Sequence, residues 1–249
     1  MLPLVDIAYI VEELRAQSKE VIEAFEDQEG DSNADPRVLL QALDDFFDGL
    51  RVHDDDAPGH VSIDGFTSTG IKDIRTLGNY GINLLARLAE TAVRLRLPQR
   101  ASGIEELTLP LACWIARRGG ELGYLGPVVN GAANLANRLE RPSDLGQLYG
   151  LLTEVVDAVN PQISQDAVPA DPSRPWRVLL LNRAIVATRS HRPALMEDAF
   201  ESIVEYLPDD APTFFREGME QMDMLNYPPH VRAVMRRYYE QWCGQRVLH

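Results

Sequence analysis

The chain has 249 residues, 45% apolar and 25% charged, which suits a globular protein long enough to bury a large core without disulfide or metal staples. Its 24 basic and 38 acidic side chains give a formal net charge of −14, a field that repels phosphate backbones and anionic lipid surfaces. Neither nucleic acid nor a membrane is therefore expected as a partner.

The N-terminus meets Asp6 without a basic stretch before it, and the apolar run Val178 to Ala187 is broken by Asn182 and Arg183. A signal peptide and a membrane span are both unexpected, and the expected location is cytoplasmic. Residues 1–69 carry 4 basic and 17 acidic side chains, residues 70–175 carry 11 of each, and residues 176–249 carry 9 and 10. The acidity thus belongs to the N-terminal quarter. Lys19 and Lys72 are the only lysines, a skew that points to a GC-rich bacterial genome. Two separated cysteines, Cys113 and Cys243, make no disulfide framework.

Apolar periodicity is helical almost throughout and strand-like alternation is nearly absent. Ile7, Ile10, Val11, Leu14, Val21, Ile22 and Phe25 predict a first helix over 4–28. Pro36 suits the first turn of a second, with Leu43, Phe46, Phe47 and Leu50 on one face. A long irregular stretch, 52–69, is read as a mobile loop, because four aspartates and two glycines bury little against the entropy of ordering. A third helix is expected over 71–97, closed by Pro98. Seven more follow at 102–118, 122–140, 143–159, 173–190, 193–207, 211–226 and 228–243, separated by Gly- and Pro-rich breaks. The fold expected is all-α, about ten antiparallel helices stacked as helix pairs. One domain over 1–249 accommodates them, with an acidic helix pair at 1–51, the loop, and a body at 70–249 as a further division.

Leu77-Gly78-Asn79-Tyr80-Gly81, Leu122-Gly123-Tyr124-Leu125-Gly126 and Leu145-Gly146-Gln147-Leu148-Tyr149-Gly150 echo one another, the first two at 45 residues, about one period of helix-pair arrays. Phe200 and Ile203 followed by Leu207-Pro208-Asp209-Asp210 add a second-helix pattern with its closing proline. In these residues the C-terminal half resembles tetratricopeptide-type repeats. The resemblance implies an α-solenoid that binds other proteins.

Residues that could carry chemistry are few. His53, Asp54, Asp55, Asp56 and His60 lie within eight residues and offer imidazole and carboxylate ligands for a divalent metal. A His-Asp pair is also central to the all-α HD phosphohydrolases, but His53 is the first histidine here and the upstream ligand of that family is missing. The plain alternative is a solvated acidic loop. Gly65 to Lys72 departs from a phosphate-binding loop, since Ile71 separates Gly70 from Lys72 and Asp73 replaces the hydroxyl. No nucleophile elbow, Cys-x-x-Cys, His-Glu-x-x-His or dinucleotide fingerprint occurs. Glu12-Glu13 and Glu105-Glu106 are adjacent carboxylates that point to different parts of a helix surface.

The last quarter concentrates methionine and aromatic residues, Tyr227 among them, which serve cores and adaptable binding surfaces alike. Val231, Val234, Met235, Tyr238 and Trp242 form a buried stripe on the last helix. Arg232, Arg236 and Tyr239 form the stripe beside it. Arginine and tyrosine together anchor protein recognition. The alternative is that the arginines pair with Glu217, Glu220 or Asp223 on the preceding helix.

These observations predict a non-catalytic protein-binding adaptor or scaffold that needs no cofactor. Its partner would be another protein or peptide, held through Arg232, Arg236, Tyr239 and Tyr227, and a homo-oligomer stays open. Two other readings stand beside it. One is a metal-dependent hydrolase-type enzyme using His53, Asp54, Asp56 and His60, and the other an acidic decoy whose residues 1–69 bind a basic partner.

Overall fold

The computed structural model describes residues 2–27, 35–51, 74–164 and 174–244. Among these the protein is all-α, with an isolated bridge between Leu122 and Val159 as its only β pairing. The expected loop 52–69 lies outside the described residues.

The helices in chain order are α1 (Ile7–Asp27), α2 (Pro36–Arg51), α3 (Ile74–Arg94), α4 (Pro98–Glu106), α5 (Thr108–Arg117) and α6 (Gly126–Arg138). After them come α7 (Pro142–Asp157), α8 (Pro161–Ser164), α9 (Pro175–Arg189), α10 (Pro193–Tyr206), α11 (Ala211–Met224) and α12 (Pro229–Cys243). Proline opens α2, α4, α7, α8, α9, α10 and α12, at the one helical position where its missing N–H has no partner to lose. Asp6 caps α1 by accepting from the Tyr9 N–H at 2.9 Å, and Asp35 caps α2 from the Arg37 N–H at 2.9 Å.

Three sequence expectations need correction here. Pro98 opens α4 rather than serving only to close the third helix. The single helix expected over 102–118 is broken at Leu107, because Pro110 cannot donate to the Glu106 carbonyl and its ring crowds that group. Thr108 secures the break, its hydroxyl lying 2.6 Å from the Glu105 carbonyl oxygen and 3.0 Å from that of Pro127. The helix expected from residue 122 begins only at Gly126. The Leu122 N–H donates to the Ala158 carbonyl at 2.8 Å, and the Leu122 carbonyl accepts from the Asn160 N–H at 3.0 Å.

The described residues fall into two compact units. The first holds those up to 138 together with 153–164, and the second holds 139–152 and 174–244. In the first, α3 packs on α2, α4, α5 and α6, while α1 packs on α2, α4 and α5. Contacts thus reach well past chain neighbours, whereas in a row of stacked pairs each pair meets only the next. Phe47, Leu77, Leu85, Leu88 and Trp114 are fully buried at its centre. Of the echoed glycines, Gly81 lies where an added Cβ would sit 2.3 Å from Phe46 Cζ, which lets α2 approach α3. The first two echoes also touch, since Asn79 Oδ1 accepts from the Gly123 N–H at 2.9 Å and the Tyr124 N–H at 3.0 Å.

In the second unit α9 pairs with α10, α11 pairs with α12, and α10 also meets α12. Phe200, Phe215 and Tyr238 form its aromatic centre, with Phe200 5.2 Å from Phe215 and 5.1 Å from Tyr238 between ring centroids. Arg183, which interrupts the apolar run in the sequence, is only 3% exposed. It reaches Asp198 at 2.6 Å and the Ser202 hydroxyl at 3.1 Å, and lies 4.5 Å over the Tyr149 ring. Tyr149 donates to the same Asp198 carboxylate. A buried guanidinium is tolerable only with its donors met in this way. No helix among the described residues is long and apolar enough to cross a membrane.

Candidate functional groove of the second unit

On α11, Phe214, Glu217, Gly218, Gln221 and Met222 recur at three- and four-residue steps and so share one face, which Leu225 continues past the helix end. That face and the last turn of α9, with Ile185, Thr188 and Arg189, enclose a cavity of about 330 Å³. Gly218 is what leaves it open. A Cβ there would stand 2.6 Å from the Met235 Cε that closes the cavity from α12. A second hollow of about 270 Å³, reaching Glu140, Pro142 and Leu145, shares Arg189, Leu225 and Tyr227 with the first. The two make one groove, pinched at those three side chains.

The rim is set by two helix ends. α9 and α11 each finish on a residue in the left-handed region, His191 at φ 59° and Asn226 at φ 50°. The His191 N–H donates to the Thr188 carbonyl at 3.2 Å, and the Tyr227 N–H to that of Met222 at 3.4 Å, as helix ends of this hand require. Glycine fits such a position without steric cost, so a histidine there keeps its ring at the rim against the local preference. The His191 and Tyr227 rings meet edge-on at 5.4 Å. Burial, and then the charge of His230, hold the His191 imidazole below its ordinary pKa. Burial pushes the Tyr227 phenol up against the opposing effect of Arg189. Arg189 also donates to the Leu139 carbonyl at 2.7 Å, fixing the chain before α7 to the end of α9.

Chemically the groove offers apolar walls with scattered hydrogen-bonding groups. Ile185 and Leu225 are 45% and 63% exposed although they are aliphatic. Such a surface suits binding of an apolar segment.

The residues singled out from sequence are distributed unevenly. Tyr227 enters the groove. The expected stripe of Val231, Val234, Met235 and Tyr238 is buried, with Trp242 half-buried at its end. Arg232 is turned inward to α11, where it donates to the Met222 carbonyl at 3.0 Å and pairs with Asp223. Arg236 is exposed and Tyr239 half-buried on the outer side of α12, away from the groove lining. Arg237, which the stripe did not include, pairs with Glu197 of α10 at 2.6 Å. His53, Asp54, Asp56 and His60 lie outside the described residues. Among the described residues no group of three or more histidine, cysteine or acidic side chains is placed to hold a metal ion. Ile185, Arg189, His191 and Leu225 are among the groove residues that the sequence did not single out. The regular spacing from Phe214 to Leu225, with a glycine at its centre, was the available signal.

No protein family, curated protein or solved structure matches the chain.

Proposed function

We propose that the protein is a non-catalytic helical-repeat adaptor of the cytoplasm that binds a peptide segment of a partner protein along the groove of its second unit. The observation that carries this reading is the continuous groove in which the apolar Ile185 and Leu225 face solvent beside half-buried Tyr227, in a unit with a well-filled core. The helix pairing supports it further. α9 and α11 begin at Pro175 and Ala211, and α10 and α12 at Pro193 and Pro229, the same step of 36 residues twice. Tetratricopeptide units repeat at a similar length, about 34 residues, and use such surfaces to hold peptides. An apolar anchor residue of the partner would fill the larger cavity, with its backbone near Arg189 and Gln221.

Selection from a random peptide library on the purified chain tests this. Peptides sharing an apolar anchor should be enriched, and Ile185→Asp with Leu225→Asp should weaken the best of them at least tenfold. Both side chains are exposed, so thermal stability should hardly change. Loss of binding on Arg236→Glu and Tyr239→Ala, with the groove variants silent, would move the site to the outer face of α12. Failure to enrich any peptide would end the adaptor reading.

A further inference from the structure

The first unit contains a separate cavity of about 570 Å³, unrelated to the groove. Tyr9, Glu13 and Gln17 follow one another along α1 at steps of four and form one wall. Ser102, Gly103 and Glu106 of α4 form the second, and Leu135 and Arg138 of α6 the third. Glu12-Glu13 and Glu105-Glu106 diverge as neighbours on their own helices, yet folding brings one member of each pair, Glu13 and Glu106, to the same cleft. Gly103 allows this approach of α1, since a Cβ there would lie 2.7 Å from the Gln17 side-chain amide.

The charges of the cleft can be balanced one by one. Glu106 is nearly buried and paired with Arg138. Burial outweighs that pairing, and the weaker pull of the chain's own N-terminal ammonium, and holds its carboxyl above the usual range. Arg100 is paired with Glu20, and its Nη1 donates to Gln17 Oε1 at 3.3 Å. Glu13 remains, and it makes no hydrogen bond or ion pair with a described residue. Beside it stands Tyr9, whose phenol is pushed up by burial first and then by the charges of Glu13 and Glu106. Both guanidinium groups are engaged, so an anion would find no free partner. One unmatched carboxylate is also too few for a divalent metal.

We infer that this cleft binds a small organic monocation, an alkyl- or arylammonium whose charge meets Glu13 and Tyr9 and whose apolar part rests on Leu107 and Leu135. A carboxylate next to an aromatic ring is the usual pairing for an ammonium group, and the volume lies in the range of small-ligand sites. Leu107 and Leu135 line the cleft, and Gln99 and Ser102, also in its lining, offer further hydrogen bonds.

Titration calorimetry of the full chain tests this with phenethylammonium and n-hexylammonium, each set against its neutral alcohol. Saturable one-to-one binding of at least one ammonium is expected, at least tenfold tighter than its alcohol. Glu13→Gln should remove that advantage while circular dichroism and the thermal midpoint stay unchanged. The net charge of −14 attracts cations generally, so the exposed neighbour Glu12 is the control. Glu12→Gln removes the same charge and should leave affinity within twofold. No saturable binding of either ammonium, equal binding of the alcohols, or equal losses from Glu12→Gln and Glu13→Gln would each overturn the inference. The peptide groove is untouched by these variants, so the two proposals fail independently.

Discussion

Cys113 shows how far an interior position alters a single side chain. It lies fully buried on α5, and burial pushes its thiol up to about 12, with the nearby Glu154 charge acting in the same direction. Reaction with disulfide reagents requires the thiolate. At pH 8 the folded protein should therefore leave Cys113 unmodified, while Cys243, half-buried at the end of α12, has the more accessible sulfur. Counting thiols with an aromatic disulfide should find Cys113 only after denaturant is added. Two equivalents titrating quickly in native buffer would show that α5 opens readily. His191 illustrates the same effect with the opposite charge. Its lowered pKa means that the unfolded chain takes up a proton first as pH falls below the ordinary histidine value, so this group's contribution to stability declines through that window.

Between helices, close approach is set by residues without side chains. Gly131 sits in the interior of α6, where a Cβ would lie 2.3 Å from the Glu105 carbonyl oxygen and 3.0 Å from the Thr108 hydroxyl. That carbonyl belongs to the end of α4 and already receives the Thr108 hydroxyl, so it cannot swing aside cheaply. Alanine would gain about 1 kcal/mol of helix propensity. Forced separation of α4 and α6 would cost about 3 kcal/mol. Gly131→Ala is expected to destabilise the protein by roughly 2 kcal/mol in denaturant titration, the difference of those two effects. An unchanged or raised midpoint would mean that the α4–α6 contact is looser than the structure has it. Gly218, by contrast, faces only the flexible end of Met235, so an added methyl there is absorbed by moving that side chain into the groove.

Neither compact unit is one continuous stretch of chain. The first takes residues up to 138 and then 153–164, and the end of α7 returns to it. The returning segment buries Val155 and Val159, bridges Val159 to Leu122, and pairs Glu154 with Arg117 at 2.8 Å. Burying two valines is worth about 1.5–3 kcal/mol each. A fragment of residues 1–138 should therefore melt well below one of 1–166, and the thermal midpoints by circular dichroism would show it. Equal midpoints would mean that the returning segment is not part of the first unit's fold.

Much of the helical architecture was legible in the sequence because it follows from local rules. Proline at the first turn of α2 and the buried stripe of Val231, Val234, Met235 and Tyr238 each depend on residues within a turn or two of one another. The break at Leu107 also has a local cause, Pro110 three residues on, although the periodicity ran a single helix through it. Other features had no local cause. Arg232 and Arg236 are equivalent by spacing, yet one is committed to Asp223 of α11 and the other is exposed. Glu13 and Glu106 share a cleft although they are far apart in sequence, and Ile185 lines one cavity with Tyr227 only because the ends of α9 and α11 come together there. Periodicity says which side of a helix is apolar, and nothing about which other helix will cover it. That choice is made by how the surfaces fit, with glycines 81, 131 and 218 and the left-handed ends at His191 and Asn226 fixing the distances and directions. The sequence alone therefore determined that the chain is helical and which faces are apolar, and only the packing decided where some helices begin and break and where the groove and the cleft would open.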